Sequence, residues 1–65
     1  MTNMREQAKA DPKAVAKACM RVLVEFGYTS LTAEFCEQII RHNLEGHPDT
    51  GIIAMFINKW LEEGL

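Results

Sequence analysis

DPKAVAKACMRVLVEFG, residues 11–27, is the segment that decides the fold. Its polar residues recur at every fourth position, a spacing that advances only about 40° around a helix per step. They therefore share one stripe, which consists of Lys13, Lys17, Arg21 and Glu25. Because the other positions are almost all apolar, the segment predicts a helix that needs cover on two or three sides. The fold class that follows is all-α.

The ends of this first helix carry clear signals. Asp11 is a favourable N-cap, Pro12 suits the first helical position, and Gly27 suits the left-handed residue that ends a helix. Tyr28 is expected to fold back against the last turn. The predicted helix covers about residues 12–26.

A second helix is predicted over about residues 30–44, with Thr29 or Ser30 as its cap. Its apolar residues recur at spacings of three and four, and its polar side pairs Glu37 with Arg41 one turn later. The loop EGHPDTG, residues 45–51, separates it from a third helix over about residues 51–63. Either Asp49 or Thr50 is the expected cap of that helix.

The short turn between the first two helices predicts an antiparallel pair in which Cys19 faces Cys36 and Val15 faces Ile40. The third helix is expected to close the opposite side of the first, although the packing order remains open. The prediction is a small three-helix bundle, formed by a single domain of residues 11–65. Residues 1–10 are expected to be a flexible or partly helical N-terminal arm.

Composition favours a protein with an exposed apolar surface. A chain of 65 residues buries only about 60% of its unfolded surface, yet 48% of these residues are hydrophobic. This combination predicts apolar surface that is left for another chain. The net charge of −2 gives the whole protein no long-range attraction for nucleic acid or an anionic membrane.

We expect a cytoplasmic protein that does not enter a membrane. The longest apolar run, IIAMFI at residues 52–57, is far too short to span a bilayer. The first residues lack the apolar region of a signal peptide. Two cysteines are also too few for a disulfide-rich secreted scaffold.

Metal-binding and catalytic patterns are weak in this sequence. Cys19, Cys36, His42 and His47 lack the closely spaced cysteine pair of a structural zinc site, and buried free thiols explain the cysteines better. No serine, histidine and acid arrangement and no glycine-rich phosphate loop is evident. We therefore expect neither a metal, a cofactor nor an enzymatic activity.

The leading functional prediction is a protein–protein interaction module. Five large apolar residues cannot all turn inward if the third helix covers only one side of the first. A homodimer, or an accessory or regulatory subunit of a larger partner, would cover them. Trp60 could equally fill the core of the monomer. The candidate interface residues are Met20, Val24, Ile52, Met55 and Trp60.

The alternative prediction is a DNA-binding regulator of the helix-turn-helix type that uses the helix at about 30–44. Lys13, Lys17 and Arg21 could contact phosphates or an acidic partner, although such a stripe is more often a solvated face. Glu34 and Glu37 on the second helix oppose DNA, because carboxylates repel phosphates. We therefore expect nucleic acid to be a less favourable partner than protein.

Overall fold

A computed structural model describes residues 4–64 of the chain, and its regular structure is helical. The helices are α1 (Met4–Ala10), α2 (Pro12–Glu25), α3 (Ala33–Leu44) and α4 (Ile52–Glu63). The all-α prediction is thus confirmed, and the predicted helices correspond to α2, α3 and α4. α1 lies in the predicted arm, of which residues 1–3 are outside the described range, as is residue 65 of the predicted domain.

α2 begins and ends as its sequence predicts. The side chain of Asp11 accepts a hydrogen bond from the backbone N–H of Ala14 at 3.2 Å. At the other end, Gly27 has a φ of 101°, and the N–H of Tyr28 donates to the carbonyl of Leu23 at 3.0 Å. This left-handed ending turns the chain sharply back toward α3.

The starts of α3 and α4 differ from the prediction. Thr32 is the N-cap of α3, with its hydroxyl accepting from the N–H of Phe35 at 3.1 Å, so the helix begins later than residue 30. Gly51 occupies the N-cap of α4 and makes no side-chain capping bond. The predicted caps Asp49 and Thr50 are therefore wrong, and Asp49 bonds His42 instead.

α1 occupies the place that the sequence analysis gave to the third helix. α2 packs against α3 and α1, while α4 packs against α1 and α3. Ala8 carries α1 into the core, where its side chain is fully buried. The core consists of Ala8, Val15, Ala16, Cys19, Leu23, Cys36, Ile39, Ile40, Ala54, Ile57, Trp60 and Leu61.

Cys19 and Cys36 lie at the centre of the contact between α2 and α3. Both are fully buried and carry free thiols. Burial, with a further contribution from the neighbouring Cys36, raises the pKa of Cys19 to about 12, and burial also raises the pKa of Cys36. Their proximity confirms this predicted pair, and both thiols act as small apolar groups at neutral pH.

Candidate protein-binding surface

An apolar groove lies between α3 and the first turn of α4. It has a volume of about 440 Å³. Ile52 is 76% exposed at its edge and Phe35 is 46% exposed, whereas Ile39 at its base is buried. The residues that define this α3–α4 groove are Phe35, Gln38, Ile39, Asp49, Ile52 and Ile53.

The exposed apolar region continues from the groove along α4. Met55 follows Ile52 by about one helical turn and is 64% exposed. Phe56 also lies one turn beyond Ile52, and its ring contacts Phe26 edge to face with the centroids 5.9 Å apart. We call these side chains the apolar surface: Phe26, Phe35, Ile52, Met55 and Phe56.

The structure separates the five predicted interface residues into different environments. Ile52 and Met55 lie on the apolar surface. On α2, Val24 is exposed, whereas Met20 is half-buried and packs against the core. Trp60 is only 6% exposed and belongs to the core. The fold thus brings Ile52 and Met55 together and leaves Trp60 without an exposed ring.

The three aromatic residues of the apolar surface, Phe26, Phe35 and Phe56, were not among the predicted interface residues. The helical spacing of Phe35 assigns it to the inner face of α3, but it lies at the edge of that apolar sector and is half exposed. Phe26 follows the last residue of α2, where the chain leaves the helix. The sequence signal for the exposure of Phe35 was its position at the margin of the apolar sector. Such a position fits a buried side chain as well as an exposed one.

A polar network holds the loop that forms one end of the groove. The side chain of Asn43 donates to Asn58 at 2.9 Å and accepts a hydrogen bond from Arg5. Asn58 in turn donates to the backbone carbonyl of Asp49 at 3.1 Å, and the Asp49 carboxylate lies 2.9 Å from Nδ1 of His42. These contacts connect α1, α3 and α4 and hold Asp49 close to Gly51, the N-cap of α4.

The basic stripe of α2 lies next to carboxylates. Lys13, Lys17 and Arg21 are all exposed, and no ion pair within residues 4–64 includes them. Lys13 and Lys17 line a shallow groove of about 170 Å³ together with Glu34 and Glu37 of α3. The stripe is therefore available to an anionic partner, but its immediate surroundings include negative charge.

The outer side of α3 is predominantly acidic. Glu34, Glu37 and Glu45 line a second surface depression on this helix, and we call them the acidic stripe. Arg41 lies among them and donates from Nε to Glu37 at 2.8 Å, which confirms the predicted ion pair. A helix with this face would bring carboxylates toward the phosphates of DNA.

The described part of the chain contains neither a metal-binding cluster nor a helix that could span a membrane. Between residues 4 and 64, no three histidine, cysteine, aspartate or glutamate side chains are arranged to hold a metal ion. Over the same range, no helix combines the length and the apolar character that crossing a bilayer requires. The apolar surface is the most distinctive feature of this part of the molecule.

The chain matches no protein-family model, no curated protein and no solved structure. The features of the molecule that bear on function are the apolar surface and the charged stripes beside it.

Proposed function

We propose that this chain is a small, non-catalytic protein–protein interaction module, which acts as a homodimer or as an accessory or regulatory subunit of a larger partner. The exposure of Ile52 and Met55 beside Phe35 is the observation that carries the proposal. Covering a large apolar side chain stabilises a complex by roughly 1.5–3 kcal/mol. Methionine and aromatic residues are also favoured in the buried centres of interfaces.

The electrostatics of α3 favour this role over DNA binding. A DNA-binding regulator would use α3 as its recognition helix, but that helix presents the acidic stripe. α3 has one arginine, Arg41, and this arginine already pairs with Glu37. Since phosphate neutralisation supplies most non-specific affinity for DNA, we propose protein as the partner.

We also propose a cytoplasmic location. Cys19 and Cys36 are close together in the core and are used as apolar groups, with no disulfide between them. Free thiols of this kind are typical of proteins in a reducing compartment.

Capture by the immobilised full chain tests the proposed function. The bait would be the wild-type chain, with cell extract and labelled copies of the chain itself as prey. We expect at least one protein, either the chain or another protein, to be retained. Ile52→Lys combined with Met55→Lys should abolish that retention, because two buried charges replace two apolar contacts.

The matched control is Gln7→Lys, which adds one lysine at an exposed position of α1 that does not line the groove. Circular dichroism would establish that all variants keep the helical fold. Retention that is equal for the wild type and the double variant would contradict the proposal, as would the absence of any retained protein.

A further inference from the structure

The α3–α4 groove has a charged border that restricts what can occupy it. Gln38 lines both the groove and the depression that holds the acidic stripe, so the two features adjoin on α3. Arg41 pairs with Glu37, and no ion pair of the described residues includes Glu34 or Glu45. An occupant that carries both apolar and cationic groups would complement this region.

The outer side of α2 has that combination of groups. Lys13, Lys17 and Arg21 form its exposed basic stripe. Val24 follows Arg21 by three positions and Lys17 by seven, so its exposed side chain lies in the same sector of the helix. Met20 precedes Val24 by one turn and lies at the margin of this face, because its half-buried side chain also packs against the core. We call these five side chains the basic face of α2.

We infer that the α3–α4 groove binds the basic face of α2 from a second copy of this chain. The inference rests on the proposed function and names the partner of the same surface. Val24, together with the exposed part of Met20, would cover the groove beside Phe35 and Ile52. The lysines would lie against the acidic stripe.

The order of the faces around one chain allows the contact to be reciprocal. The basic stripe, the acidic stripe and the groove follow one another across α2, α3 and α4, because Glu34 and Glu37 border Lys13 and Lys17 on one side and Gln38 borders the groove on the other. We expect a reciprocal dimer, in which α2 of each copy lies over Gln38 of the other, between its acidic stripe and its groove. Such an isologous dimer closes without leaving a groove open.

Charge reversal on each side tests this pairing. The first variant carries Lys13→Glu and Lys17→Glu, and the second carries Glu34→Lys and Glu45→Lys. Sedimentation at low salt would give the mass of the wild type, of each variant and of their equimolar mixture. We expect two chains for the wild type, one chain for each variant alone, and two chains again for the mixture.

The mixture is expected to recover the dimer because it contains both complementary contacts. The reversed α2 of the first variant meets the reversed α3 of the second, and the unchanged α2 of the second meets the unchanged α3 of the first. If a reversed variant does not fold, the neutral variant Lys17→Gln with Arg21→Gln replaces it. We expect this variant to weaken the dimer by about tenfold, because surface ion pairs contribute modestly.

Three results would overturn the inference. They are a wild type that remains a single chain at all concentrations, reversed variants that dimerise like the wild type, and a mixture that stays at one chain. None of these results decides the proposed function. That function fails only when the immobilised chain retains no protein, or when the Ile52→Lys and Met55→Lys double variant retains as much as the wild type. The two experiments therefore separate failure of this pairing from failure of the interaction module.

Discussion

Asn43 is the buried polar residue on which the packing of α3 against α1 and α4 depends. It is only 6% exposed, and its amide group binds both Arg5 and Asn58. No buried side-chain nitrogen or oxygen in the described part of the chain lacks a hydrogen-bond partner. These hydrogen bonds matter because a buried polar group that loses its partners destabilises the folded state.

We predict that Asn43→Ala lowers the free energy of unfolding by roughly 1–3 kcal/mol. The substitution removes both hydrogen bonds of the Asn43 side chain and leaves Oδ1 of Asn58 without its donor. Urea denaturation would measure the loss. Gln7→Ala is the matched control at an exposed helical position, with an expected change within about 0.5 kcal/mol. Equal stability of the two variants would show that the network does not stabilise the fold.

The position of Asn43 could be predicted from the sequence, but its partners could not. It falls within the apolar spacing of α3, between Ile40 and Leu44, so burial of a polar side chain was foreseeable. Arg5 and Asn58 belong to helices far away in the chain, and no local spacing rule pairs them. The same limit applies to Asp49, which local rules assign to a helix cap and which tertiary packing places against His42.

At the scale of elements, the helix least accessible to sequence reasoning is α1. Seven residues are too few for a stable isolated helix, because nucleation costs more than a short helix recovers. Its order comes from tertiary contacts, namely the burial of Ala8 and the bond from Arg5 to Asn43. α2 was predictable nearly to the residue, since Asp11, Pro12 and Gly27 determine its ends locally.

The direction in which α4 faces was not predictable, and Trp60 illustrates the reason. Helical periodicity shows which residues share a face, but it does not show which neighbouring helix will cover that face. α1 packs against α4, a contact that the sequence analysis did not assign to it, and in this arrangement Trp60 is buried while Ile52 and Met55 are exposed.

The turn between α2 and α3 gives a prediction at this scale. Gly27 has a positive φ, so Gly27→Ala should lower the free energy of unfolding by about 1–2 kcal/mol. Gly51 has a φ of −68° and open space around its Cα, so Gly51→Ser should be neutral or stabilise by a few tenths of a kcal/mol through a new N-cap. Urea denaturation would compare the unfolding midpoints of the two variants, with the dependence of the unfolding free energy on urea concentration held the same. A Gly27→Ala protein as stable as Gly51→Ser would refute the left-handed turn.

For the whole molecule, the apolar surface does not result from loose packing. The radius of gyration is 10.5 Å, and a folded chain of this length is expected to have about 11 Å. The four helices already close a core that includes Leu23, Ile40, Ile57 and Leu61 at full burial. The exposed side chains therefore lie outside a complete core, and we propose that a second protein covers them.

We propose that the apolar surface binds protein and that the α3–α4 groove within it binds a second copy of the chain. Light scattering over a concentration series at low and moderate salt tests it most directly, with the wild type, the Ile52→Lys and Met55→Lys double variant, and Gln7→Lys measured in parallel. We predict that the wild type and Gln7→Lys approach a mass of two chains while the double variant stays at one. The wild-type mass should fall at higher salt, because salt screens the lysine and glutamate contacts. A wild type that remains at one chain throughout the series would contradict the account.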